Sequence, residues 1–155
     1  METLIKNTKG FTIIELVLVL TILGATFGFS VFAYQNSQVR ADVNAEVSGL
    51  VAQLRLAQSN AASGQNNTSH GIHFETDSYT AFSGISYNPA DTNNFIVPLP
   101  SQVTIANISL NGNGSEVIFT TPDGTTTTYG TLDMTSTAIG KTVTITINPI
   151  GTINY

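Results

Sequence analysis

The sequence predicts an α+β protein. One long N-terminal α-helix, membrane-spanning in its first half, packs through its second half on a small antiparallel β domain. Three observations carry that expectation. An apolar run opens at Phe11, a single apolar stripe extends it to Ala61, and short alternating segments separated by turn residues fill the remainder.

The apolar run comes first. Leu16 to Tyr34 holds nothing more polar than Thr21, Thr26 and Ser30. At about 1.5 Å per residue it is roughly 28 Å long, matching a hydrocarbon core of about 30 Å. Lys6 and Lys9 precede it, which predicts a cytoplasmic N-terminus with the rest of the chain sent across. The small residue Gly10 stands before the run rather than after it, unlike a secretory signal. Within the run, Glu15 is the single charged residue between Phe11 and Gln38. A charge near the centre of a membrane helix costs about 2.5–3.5 kcal/mol even on lenient scales, so Glu15 requires compensation. Gly24 and Gly28 form a G-x-x-x-G pair that reads either as a close-contact face or as local softening of the helix.

The helical pattern continues past the apolar run. Val39, Val43, Val47, Leu50, Leu54, Ala57 and Ala61 recur at spacings of three and four, while Asp42, Glu46, Gln53 and Arg55 lie mostly off that stripe. Ser63-Gly64 and the polar residues to Ser69 end the helix.

From about His70 the pattern changes to strands. Ile72 and Phe74 alternate with His73, Thr76-Asp77-Ser78 turns the chain, and Tyr79 to Ser83 returns as a hairpin. Val103 and Ile105 share one phase and Ile108 and Leu110 the other, which predicts a bulge near Asn107. Glu116 to Thr121 leads into the turn Pro122-Asp123-Gly124, and Thr126 to Met134 is expected to return from it. Val143, Ile145 and Ile147 line one face of a strand, and Pro149 to Gly151 turns tightly into Thr152 to Tyr155. The loop Asn88 to Asn94 is expected to be exposed.

Composition narrows the function classes. The 155 residues suffice for one domain, and without Cys the chain has no disulfide or thiolate metal site. Only 10% of residues are charged, and a surface rich in Ser, Thr and Asn suits an extracellular or periplasmic setting better than a cytosolic one. Net charge is −5, and past residue 10 only Arg40, Arg55 and Lys141 are basic, which argues against nucleic-acid binding. His70 and His73 lack a third ligand nearby and read as exposed strand residues rather than a metal site. Asp77, Asp91, Asp123 and Asp133 mostly mark turns or loops. No G-x-S-x-G elbow and no other catalytic constellation is present, so neither an enzyme nor a cofactor is expected.

Lys9-Gly10 followed by Phe11-Thr12-Ile13-Ile14-Glu15 and about twenty apolar residues resembles the N-terminus of type IV prepilins and type II secretion pseudopilins. HGIHFETDSYTAFSG, VIFTTPDGT and the closing VTITINPIGTINY are similar in order to the GspH/FimT-type pseudopilin domain. The resemblance implies a pilin-like fold. It divides the chain into a leader at 1–10, a transmembrane and polymerisation helix at 11–34, the amphipathic half of that helix at 35–64 and a β domain at 65–155. It implies cleavage by a prepilin peptidase between Gly10 and Phe11, N-methylation of Phe11, and stacking of mature subunits by their helices.

In that arrangement the amino group of a neighbouring subunit's Phe11 pairs with Glu15 and sets the register of assembly. The implied partners are the peptidase, other pilin or pseudopilin subunits, an inner-membrane assembly platform and the membrane itself. The subunit would sit as a single-pass protein of the inner membrane, its C-terminal domain outside the cytoplasm, before entering a secretion pseudopilus or a type IV pilus. Some FimT-like proteins resemble DNA receptors of transformation, which is the alternative expectation. Members of that group lean on basic residues near the C-terminus, where this chain has only Lys141.

Overall fold

The structure, a computed structural model, describes residues 10–155, the side chains of 30–36 excepted. The leader expected at 1–10 therefore lies, apart from Gly10, outside the described residues. The chain forms two compact units, Met1–Ser37 and Gln38–Tyr155. Helix α1, Ile13–Ala62, contributes to both. In element content the molecule is α+β, as expected: α1, a short 3₁₀ turn at Gln65–Asn67 and eight strands in antiparallel sheets.

In the first unit, α1 begins immediately after Thr12, whose Oγ1 accepts the Glu15 N–H at 3.3 Å. A hydroxyl at this position satisfies one of the free N–H groups of the first turn. Thr21 and Thr26 donate their hydroxyls to the carbonyls of Val17 and Ile22, at 2.8 and 2.7 Å. These bonds within the helix spare the apolar surface two unpaired polar groups. Among the described residues no helix is long and apolar enough to cross a membrane. The described apolar side chains end at Phe29, and the rest of the expected Leu16–Tyr34 span falls among 30–36, whose side chains are outside the description.

In the second unit the expected stripe is the buried face of α1. Val43, Val47, Leu50, Leu54, Ala57 and Ala61 are all buried, Val39 at the start of the stripe is half-buried, and Val51 widens the stripe at one point. Gly64 ends the helix in the left-handed region at φ 69°, its N–H bonded to the Ala61 carbonyl at 3.0 Å.

The strands are β1 (His70–Phe74), β2 (Ser78–Ser83), β3 (Phe95–Pro98), β4 (Val103–Leu110), β5 (Glu116–Phe119), β6 (Gly130–Ser136), β7 (Lys141–Ile147) and β8 (Ile153–Asn154). They form two four-stranded sheets, ordered β3-β2-β1-β5 and β4-β6-β7-β8. The expected β1–β2 hairpin is present, with Ile72 opposite Ala81 and Phe74 opposite Tyr79. The bulge is present too: the register of β4 against β6 shifts between Ala106 and Ser109, and Asn107 takes φ 49°.

One expectation fails. The segment returning from Pro122-Asp123-Gly124 does not pair with β5 beyond a single bridge between Phe119 and Thr126. The Ile118 N–H is taken by Thr128 Oγ1 at 3.0 Å, and the Thr126 N–H by the Pro149 carbonyl at 2.9 Å. With both ladder positions occupied, the chain crosses to the second sheet. It enters at Gly130, where a Cβ would lie 2.1 Å from the Ser109 carbonyl oxygen, so only glycine permits the approach.

The core is one cluster that joins the buried stripe of α1 to Ile72, Phe74, Val117 and Phe119 of the first sheet. From the second sheet it takes Val103, Ile105, Leu132, Met134, Ile145 and Ile147. Each such side chain contributes about 1.5–3 kcal/mol on burial.

Candidate functional site

The residues singled out for cleavage and assembly lie together at the start of the first unit. Gly10 and Phe11 precede α1, and Glu15 occupies its first turn. Phe11 is 82% exposed, and a Cβ on Gly10 would meet nothing within 4 Å. Among the described residues both flanks of this peptide are exposed. Thr12-Ile13-Ile14-Glu15 has the T-x-x-E spacing of a capping box, a pattern that sequence reasoning missed although it was legible. The acidic group also sits at the helix end where the partial positive charge of the backbone collects. Glu15 thus has local compensation in addition to any partner.

The helix beyond is apolar all round. Ile13, Ile14, Leu16, Val17, Leu18, Leu20, Ile22, Leu23, Phe27 and Phe29 are all exposed. Gly24 and Gly28 are equally open. Such a surface is stable only when covered by lipid or by other apolar helices.

The β domain holds the other polar candidates, and here two expectations change. His70 is not an exposed strand residue; it is 6% exposed. Its Nε2 donates to the Gln65 carbonyl at 3.2 Å, because a carbonyl only accepts, and Nδ1 pairs with Ser83 Oγ at 3.1 Å. His73 is half-buried. It stacks on Tyr87 at 4.1 Å with 11° between the ring planes, and its Nε2 and Nδ1 lie 3.9 and 4.0 Å from the carboxylates of Glu75 and Glu116. Glu116 accepts the Tyr87 N–H at 3.0 Å, so the loop after β2 is fastened over the first sheet. No spacing in the sequence announces these contacts, since Tyr87 and Glu116 reach His73 from separate segments.

Asp77, Asp91 and Asp123 are in turns or loops, but Asp133 lies within β6. It faces away from the core and accepts from Thr144 Oγ1 at 2.6 Å and Asn107 Nδ2 at 2.8 Å. Those two donors, Thr144 first, hold its carboxyl below the usual carboxylate range. Burial, with Asp42 adding to it, pushes Glu46 up, and burial followed by Glu46 pushes the Tyr79 hydroxyl up. Among the described residues no group of three or more His, Asp or Glu is placed to hold a metal ion.

A family model described as type II transport protein GspH matches residues 46–151, about two-thirds of the chain. No curated protein and no solved structure matches it.

Proposed function

The chain belongs to the type II transport protein GspH family, a family of type II secretion pseudopilins, and from that premise we propose that it is a filament subunit assembled through its N-terminal helix. In this reading a prepilin peptidase cuts between Gly10 and Phe11, Phe11 is N-methylated, and the helix from Phe11 to Tyr34 first anchors the subunit in the inner membrane. The same helix then leaves the lipid to pack against other subunits, while the β domain stays outside the cytoplasm. The filament is a secretion pseudopilus, with a type IV pilus as the neighbouring possibility within the same class.

The observation that carries the reading is the pairing of a GspH-type domain with an apolar helix exposed on every side and bearing one acid, Glu15, in its first turn. An apolar helix of that kind needs other helices or lipid, and a carboxylate among them needs a cation. The amino group of a neighbouring Phe11 is the cation that cleavage at Gly10 creates. The DNA-receptor alternative gains little from the described residues: they hold three basic residues, Arg40 and Arg55 well apart along α1 and Lys141, which donates to Asn44 Oδ1.

Deletion in the native cell tests the proposal. Loss of exoprotein release is the expected outcome for a secretion pseudopilin, and loss of surface fibres would assign the subunit to a pilus. Unchanged secretion and unchanged fibres would remove the proposal.

A further inference from the structure

A cleft of about 190 Å³ lies in the second unit between the flank of α1 and the end of the first sheet where β3 begins. Its walls are Leu56 of α1 and Phe95 of β3, 52% and 57% exposed, above a floor of Ala57 and Ala81. The amides of Gln53, Asn60 and Asn93 stand among its lining, and no Asp, Glu, Lys or Arg does. We propose that this cleft is an anchor site for one aromatic side chain presented by an uncharged peptide segment of a partner protein.

Size, charge and rigidity all select that occupant. A benzene-sized group needs about 150 Å³, so the volume here holds a single aromatic ring, between two exposed apolar walls and a set of amides. A charged side chain would enter without a counter-ion and pay its desolvation uncompensated. Asn and Gln amides offer both donors and acceptors, which matches the N–H and C=O groups that flank an anchor residue in a peptide. The cleft is also formed in advance. Buried His70 ties the Gln65 carbonyl, in the turn after α1, to Ser83 at the end of β2, so two sides of the lining are held by one ring. Preformed pockets that take an aromatic anchor are where binding energy concentrates in protein interfaces.

The site goes beyond the assembly reading and stands or falls without it, because its residues on α1, Gln53, Leu56, Ala57 and Asn60, all lie beyond the segment 11–34 that the assembly reading uses. The test is an NMR titration of the full ¹⁵N-labelled chain in detergent micelles, reading the side-chain amide signals of Gln53, Asn60 and Asn93. The probes are N-acetyl-phenylalanine amide, its free carboxylate and N-acetylglucosamine. The neutral phenylalanine probe is expected to shift the three amides saturably, with a Kd of about 1–10 mM, as befits a fragment. The carboxylate should bind at least about five-fold more weakly, the penalty of an unpaired charge. Ala81→Phe, which fills the floor, should abolish the response, and Leu56→Gln, at an exposed wall, should weaken it several-fold without touching the core.

Four results of the titration itself would overturn the proposal. They are shifts that never saturate, equal binding of the carboxylate, a response unchanged in both variants, and tighter binding of the sugar, which would make the cleft a glycan site. Amide shifts that follow protein concentration without probe would also overturn it, by assigning the cleft to a second copy of this chain.

Discussion

Thr12 Oγ1 accepts the backbone N–H of Glu15 across 3.3 Å, so the acid of the apolar helix sits at the third position of a capped first turn. Two roles for Glu15 are therefore open on geometry: completing the cap, and pairing with a partner's amino group. They separate by substitution. Glu15→Gln keeps a side chain able to cap but removes the charge, and Thr12→Ala removes the cap but keeps the charge. Pairing as the assembly determinant predicts that Glu15→Gln and Glu15→Ala both lose at least about ten-fold in filament incorporation, the equivalent of about 1.4 kcal/mol. Thr12→Ala, costing about 1 kcal/mol of helix stability, should still assemble. Quantitative blotting of sheared filaments against whole cells checks this, and normal incorporation of Glu15→Gln would leave capping as the explanation.

Gln58 of α1 ties the helix to two turns of the β domain, those at Gly124 and Gly151. Its Nε2 donates to the carbonyls of Gly124 and Ile150, at 3.3 and 3.4 Å. Gly151, at φ 86°, presses so close that a Cβ would lie 2.1 Å from that nitrogen. Gly151→Ala therefore meets both a left-handed backbone and a steric overlap. It should cost well over about 1–2 kcal/mol, whereas Gln58→Ala should cost about 1 kcal/mol for its long hydrogen bonds. Equilibrium denaturation in urea measures both, and a near-neutral Gly151→Ala would refute the packing described.

Leu50 and Leu56 stand on the same helix, one fully buried and one exposed. Leu50→Ala should destabilise by about 2–5 kcal/mol through lost burial and a residual cavity. Leu56→Ala should stay within about 0.5 kcal/mol, as for surface positions generally. Comparable losses from the two would mean that Leu56 is covered in the folded protein.

Asp133 and Glu46 make opposite contributions to the pH dependence of stability. Thr144 and Asn107 hold the Asp133 carboxyl below its ordinary range. The stability it contributes is therefore present above its unfolded value of about 3.9 and is lost as pH falls through the lower folded value. Glu46 is raised, chiefly by burial, so its contribution is complete below its unfolded value and lost as pH rises through the folded one. Asp133→Asn should flatten the acid limb below about pH 4, and Glu46→Gln should raise stability at pH 7 relative to pH 4. Melting temperatures across pH 2.5–7 report both signs.

Helix and bulge were legible in the sequence because they rest on local rules. The i, i+3, i+4 recurrence from Val43 to Ala61 became the buried stripe, Gly64 stopped the helix, and the phase change at Asn107 became a left-handed bulge residue. The division into two sheets was not legible. It depends on where the Ile118 and Thr126 N–H groups find acceptors: the first takes a side-chain hydroxyl, Thr128 Oγ1, in place of a ladder carbonyl, and the second takes the carbonyl of Pro149, outside the hairpin pattern. The histidines were misjudged for the same reason. His70 is buried by Gln65 and Ser83 and His73 by Tyr87, contacts created only once the strands are paired. At the start of the helix the resemblance that singles out Gly10, Phe11 and Glu15 rests on adjacency alone, and the capping spacing that links Thr12 to Glu15 was equally readable.

The most direct test of the account is the intact mass of the protein recovered from membranes and sheared filaments of the native cell. A processed subunit predicts a mass that begins at Phe11 with one added methyl group, enriched in the filament fraction. A mass that begins at Met1 and stays in the membrane fraction of a cell with an active prepilin peptidase would contradict it. Glu15 would then be the capping residue of an ordinary anchored helix.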